Sequence, residues 1–153
     1  GLAIARMLAM ITYQSEESME LRFARQLGIA SPGGYTDLGK RFDVEGYLYY
    51  QGQALVKRFD ANSYLYISRA MDLYDVSEGY ASLEAALRRM RSKALCIGIR
   101  SDVLFPAARV RSLAEQLRAV GGDATYVELD SPHGHDTFLK EWEQMNAALN
   151  VFH

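Results

Sequence analysis

Two short segments carry acidic and imidazole groups in an order that general-base chemistry can use. The first is "RSDVLFP", with Asp102; the second is "DSPHGHD", with His133, His135 and Asp136. Asp102 comes three residues after the apolar run "ALCIGI", and His135 six residues after the run "ATYVEL". A carboxylate held against one imidazole nitrogen fixes the tautomer and stabilises the imidazolium. The other nitrogen then accepts the proton of a hydroxyl nucleophile. From spacing alone two other uses stay open. His133 and His135, joined by Asp102, Asp130 or Asp136, could ligate a metal. Alternatively, Asp130 and Ser131 form an Asx-type turn that merely displays the histidines. His153 is terminal and read as incidental, and Cys96, inside an apolar run, as a packed thiol.

The elements that would position these groups have two different periods. From Gly1 to about Tyr74 the pattern is helical. Ile4, Leu8 and Ile11 share one face, and "SEESMELRFARQLG" runs from a candidate cap at Ser15 to Gly28. Pro32, Gly33, Gly34 and Gly39 punctuate a loop. Helical spacing returns with Val44, Leu48, Leu55 and Phe59, then with Tyr64, Ile67, Met71 and Tyr74 after a cap at Asn62 or Ser63. From Ser82 the order becomes helix, strand, helix, strand, helix. The strands are Ala94–Ile99, a nearly unbroken apolar run as expected where both faces are covered, and Ala124–Leu129. Pro106 opens the intervening helix, and Gly121 with Gly122 closes it. A last helix is predicted to present Phe138, Trp142, Met145, Leu149 and Phe152 on one side. This alternation predicts an α/β fold with parallel strands and crossover helices, preceded by an all-helical part. The division is placed as a helical region over 1–80 and an α/β region over 81–153. Two parallel strands are too few for a stable sheet, so further strands are expected from elsewhere.

In such a sheet, Asp102 and His135 follow strands one helix apart and fall at one rim, where functional groups collect. Composition narrows the partners. The net charge of −2 is no footprint for nucleic acid or an anionic membrane surface, and no apolar run is long enough to span a bilayer. One cysteine excludes an internal disulfide framework and fits a reducing, cytoplasmic setting. Gly1 opens directly into an amphipathic helix without a cap, as an internal position of a longer protein would.

Together these segments resemble the C-terminal part of the homoserine O-acetyltransferase family, acyltransferases of the α/β-hydrolase fold. The resemblance is carried by "GLAIARMLAMITYQS", "FDVEGYLYYQGQALVKRFDANSYLYISRAMDLYD", "IGIRSDVLFP" and "DSPHGHDTFL". It implies that the helical part is a lid and that the rest supplies the last strands of the core. It also implies that Asp102 is the triad acid and His135 the triad base, and that Asp136 contacts the amino group of homoserine. Arg6 and Tyr13 match lid residues that bind the substrate's carboxylate end or frame the acyl pocket. The residue types agree: Arg6 and Tyr13 are seven apart, two helical turns, and both donate hydrogen bonds, as a carboxylate requires. Gln14 and Gly46 depart from the family pattern, where arginine and serine are common. No G-x-S-x-G-like elbow occurs, so the nucleophilic serine is expected outside this chain.

The reaction implied is acetyl transfer from acetyl-CoA, as co-substrate with no resident cofactor, to the hydroxyl of L-homoserine through an acyl-serine. The resemblance also implies a homodimer through the lid helices. Four alternatives share the residues: succinyl-CoA as donor, serine as acceptor, a plain esterase, or a non-catalytic fragment serving as an oligomerisation module. An amino-acid clamp of Arg6, Tyr13 and Asp136 has no purpose in a plain esterase.

Overall fold

The computed structural model describes residues 1–28 and 41–152, with the backbone alone at Phe152. Pro32, Gly33, Gly34 and Gly39 of the predicted loop, and His153, lie outside the described residues. The chain divides into two compact units: Gly1–Thr12 with Glu16–Asp72, and Tyr13–Ser15 with Leu73–His153.

The first unit is built on helices α1 (Leu2–Thr12), α2 (Glu16–Arg22), α3 (Asp43–Arg58) and nearly all of α4 (Ala61–Leu73). Helices α1 and α3 pack together, burying Met10 and Leu55. Gly52 permits their close approach. A Cβ there would lie 2.9 Å from the Ala3 carbonyl oxygen and 2.9 Å from the Met7 methyl. Helix α2 is shorter than its pattern, which ran to Gly28. The chain leaves it after Arg22, whose guanidinium lies 4.9 Å from the Phe23 ring and 4.3 Å from the Tyr47 ring. Ala24 then takes a positive φ of 41°, and Leu27 forms an antiparallel bridge with Phe42. The cap of α4 is Asp60, two or three residues earlier than Asn62 or Ser63: the Ser63 N–H donates to Asp60 Oδ2 at 2.7 Å. That backbone bond holds the Asp60 carboxyl below its ordinary pKa. No residue of α4 is buried, and Leu65, Tyr66, Ile67 and Met71 are exposed.

In the second unit, strands β1 (Ala94–Ile99) and β2 (Ala124–Leu129) pair in parallel, from Ala94↔Ala124 to Ile99↔Leu129. Alternation sorts their side chains onto two faces. Cys96 and Ala124 pack with Ala114 and Leu117 of the crossover helix α6 (Ala107–Ala119). Ile99 and Leu129 pack with Ala148 of α8 (Trp142–Phe152). Both faces of β1 are covered, which is why it reads as an apolar run. Gly98 leaves room for the Tyr126 ring, since a Cβ would meet its hydroxyl at 2.5 Å. Upstream, α5 (Leu83–Leu87) is capped by Ser82, whose hydroxyl accepts from the Ala85 N–H at 3.2 Å.

The predicted final helix is two helices. α7 (Thr137–Lys140) ends at Glu141, where the backbone turns out of helical conformation at ψ 64°, and α8 begins at the next residue. The interruption resets the helical phase. Phe138 and Trp142 therefore fall off the stripe that Met145 belongs to, and Trp142 is 64% exposed.

Candidate active site

Parallel pairing of adjacent strands puts the carboxyl ends of β1 and β2 at the same rim. The segment after β1 turns at once, with the Asp102 N–H donating to the Ile99 carbonyl at 3.1 Å. Asp102 then folds over its own loop. Oδ1 accepts the N–H groups of Leu104 at 2.8 Å and Phe105 at 2.9 Å. This Asx-type arrangement occupies one carboxylate oxygen and aims the other. Oδ2 lies 2.8 Å from Nδ1 of His135. The Asp102 side chain is 3% exposed and that of His135 27%, so the acid is sealed and the imidazole stays reachable.

His135 sits at the centre of a 3-10 turn, Gly134–Asp136, that follows β2. Gly134 opens the turn at φ 63°, and its carbonyl accepts the hydroxyl of the fully buried Thr137 at 2.7 Å. A side chain at 134 would be obstructed as well as strained: its Cβ would lie 2.7 Å from the Ser15 nitrogen and 2.8 Å from the Tyr13 oxygen. The Ser15 hydroxyl bonds to the Pro132 carbonyl, so the Tyr13–Ser15 tripeptide is fastened beneath the histidine loop. Three rings flank the imidazole: Phe105 at 5.2 Å, Phe138 at 5.5 Å and Tyr13 at 5.7 Å between centroids. Beside it lies a cavity of about 250 Å³ whose lining includes Ile97, Phe105, Val110 and Met145.

The second unit thus brings Asp102, His135, Tyr13 and Asp136 together. Asp136 neighbours His135, and its N–H donates to the Tyr13 carbonyl at 3.3 Å. Tyr13 is not on the face of α1 that its spacing from Arg6 implied. The helix stops at Thr12, whose hydroxyl bonds back to the Ala9 carbonyl at 3.1 Å, and Tyr13 joins the other unit. Arg6 lies half-buried within α1 of the first unit. His133 points elsewhere: its Nε2 is 3.8 Å from Glu141, and its N–H donates to the Ser131 hydroxyl at 3.2 Å. Asp130 pairs with Arg100 at 3.0 Å instead of shaping the turn. Among the described residues, no three His, Cys, Asp or Glu side chains converge as metal ligands. No described helix is long and apolar enough to cross a membrane.

Spacing did not single out Ser101 or Glu141, which hold the loops, or the ring of Phe105; Ser131 was read only as a turn former and Phe138 only as part of the last helix's stripe. The adjacency of Ser101 to Asp102 was the signal available for the first. Chemically the arrangement is a hydrogen-bonded acid–imidazole pair with Nδ1 engaged, which leaves Nε2 to exchange a proton with a reactant.

No family model matches the chain. It is 50% identical over 153 residues to a homoserine O-acetyltransferase of Symbiobacterium thermophilum, a match spanning 99% of this chain and 40% of that protein. It is 47% identical over 152 residues to the homoserine O-acetyltransferase of Moorella thermoacetica, with the same coverage. The chain therefore spans about 40% of the length of these curated relatives. A crystal structure of homoserine O-acetyltransferase from Bacillus anthracis superposes on 96% of the chain and 39% of its own, with a TM-score of 0.76 at 23% identity. A crystallised esterase superposes with a TM-score of 0.73 at 22% identity. The fold is that of the C-terminal part of an α/β-hydrolase, as the resemblance implied.

Proposed function

We infer, from a chain that matches homoserine O-acetyltransferases along 99% of its own length, that it supplies the acid and base of an acyl-transfer triad. The serine nucleophile is carried by polypeptide beyond these 153 residues. The observation that carries the chemistry is the 2.8 Å contact between His135 Nδ1 and the buried Asp102 carboxylate.

In the first half-reaction His135 Nε2 takes the proton of the serine hydroxyl as its oxygen bonds to the acetyl carbon of acetyl-CoA. The carbon–sulfur bond then breaks, and the proton passes from Nε2 to the departing CoA thiolate. In the second, Nε2 takes the proton of the homoserine hydroxyl, whose oxygen attacks the acyl-serine; the serine leaves and recovers the proton. O-acetylhomoserine is the product, and no resident cofactor takes part. Asp102 keeps the imidazole in the Nδ1–H tautomer and stabilises each imidazolium. Asp136, next in sequence to the base, binds the homoserine ammonium, and Tyr13 binds its carboxylate end or frames the acyl pocket. The rings around His135 limit water, the rival acceptor for the acyl-serine. The apolar side chains exposed on α4 suit a homodimer formed through the helical unit.

A second reading, esterase activity, has support in the structural similarity to an esterase, because the fold serves both reactions. CoA release from acetyl-CoA by the full-length protein, with and without L-homoserine, separates them. Release that depends on homoserine, with O-acetylhomoserine formed in equal amount, is the expected result. Equal hydrolysis without the acceptor would establish the esterase. Faster turnover of succinyl-CoA, or of L-serine, would reassign the donor or the acceptor.

A further inference from the structure

The residue before the acid makes bonds that its own loop does not need. The Ser101 hydroxyl donates to the Ser131 carbonyl at 2.5 Å and accepts the Gly134 N–H at 2.9 Å. It therefore grips both ends of the four-residue turn that leads into His135. A hydroxyl has one proton to give and lone pairs to receive, and here both functions are spent on the other loop. Asp102, in contrast, is aimed by its own loop through the Leu104 and Phe105 N–H groups. Nothing in that aiming fixes where the imidazole stands. Ser101 and Asp102 are adjacent, so one dipeptide grips the histidine turn with one side chain and receives its imidazole with the next.

We propose that Ser101 is a positioning residue: its hydroxyl sets the separation of the acid and histidine loops, and thereby keeps His135 Nδ1 on Asp102 Oδ2. Its importance for turnover rests on reading that pair as the catalytic relay; its structural effect does not. Gly134 strengthens the case. At φ 63°, wedged against the backbone of Tyr13 and Ser15, it cannot shift to find another acceptor without moving that tripeptide. Ser131 carries the tension onward, since its hydroxyl accepts the His133 N–H at 3.2 Å and donates to Glu141 Oε1 at 3.3 Å.

The test reads the imidazole, not the rate. In the ¹⁵N-labelled full-length protein, the two ring nitrogens of His135 report its tautomer, and exchange of the Nδ1 proton reports opening of the pair. Loss of two hydrogen bonds in Ser101→Ala is expected to speed that exchange by about tenfold or more. The Nε2–H tautomer should gain population in step. Ser101→Thr, which keeps the hydroxyl, should restore the parent signals, and Ser101→Cys should fall between. Asp102→Asn serves as the reference for a lost pair. If Asp102→Asn shifts the tautomer and Ser101→Ala leaves tautomer and exchange unchanged, the role of Ser101 is overturned while the pair stands. If neither variant moves the signals, the acid–imidazole pair itself falls. Should Ser101→Ala not fold, amide exchange in the unaltered full-length protein decides. A protected Gly134 N–H supports the clamp, and exchange at the rate of an open turn refutes it.

Discussion

Nδ1 of His135 lies 2.8 Å from Oδ2 of Asp102, although 33 residues separate them in sequence. The other oxygen of that carboxylate is held by two backbone N–H groups. The acid is therefore oriented before the base arrives. An amide at 102 would keep the shape but offer one acceptor where two are used, and would favour the wrong tautomer. Asp102→Asn should lower acyl transfer by the full-length protein about 10³- to 10⁴-fold, measured as homoserine-dependent CoA release. A loss of less than tenfold would remove Asp102 from the relay.

The two histidines of the motif should separate cleanly. His135→Ala is expected to abolish both half-reactions, since no other imidazole among the described residues reaches Asp102. His133 faces Glu141 instead, with a buried Nδ1 that has no hydrogen-bond partner. His133→Ala should leave transfer within about threefold of the parent, because a partly exposed contact at 3.8 Å, outside the acid–imidazole pair, is worth less than about 1 kcal/mol. The reverse ranking would require a different base.

Asp136 offers a substrate-specific readout. Asp136→Ala should raise the KM for L-homoserine about tenfold or more, the usual consequence of losing a charged hydrogen-bond partner. The burst of CoA release in the absence of acceptor should persist. Loss of the burst would place Asp136 in the first half-reaction as well.

Gly134 and Gly121 provide a matched pair for stability. Both have positive φ, 63° and 86°, yet only Gly134 is crowded by neighbouring backbone. Gly121→Ala should cost about 1 kcal/mol for the left-handed conformation alone. Gly134→Ala should cost about 3 kcal/mol or more, because strain and overlap add. Urea unfolding of the two variants checks the difference.

The pH dependence of stability can be traced in part to Glu128. Its carboxyl is held below the ordinary 4.5, chiefly by the Tyr126 hydroxyl at 2.7 Å and next by the Arg111 guanidinium at 2.6 Å. A depressed acid pKa means that the folded chain binds this proton less readily than the unfolded chain. Its stabilisation is thus present above about pH 4.5 and is lost as pH falls through the lower folded value. Thermal melts from pH 6 downward should show Glu128→Gln less sensitive to acid than the parent, by a small margin since the group is partly open to solvent.

What the sequence revealed and what it concealed have physical reasons. Strand β1 was legible because burial on both faces demands an apolar run, and Gly121 marked the end of α6 by its backbone conformation. Asp102 and His135 were legible because strand ends fix where the next few residues go. The break at Glu141 was not, since its neighbours keep a helical spacing across it. The exit from α2 was hidden likewise: Arg22 stacks on Tyr47, a residue 25 positions away, and no local pattern records that. The clamp by Ser101 depends on two carbonyl and amide groups of a remote turn, which every residue type possesses.

The passage of Tyr13–Ser15 through the second unit has a topological outcome. Chain crosses between the units at 12–13, at 15–16 and at 72–73, so three covalent threads join them. A single proteolytic nick after Leu73 would not free the histidine-bearing piece, because the tripeptide would still be threaded under the turn at Gly134. The two products should travel together on a sizing column until denaturant draws that thread out.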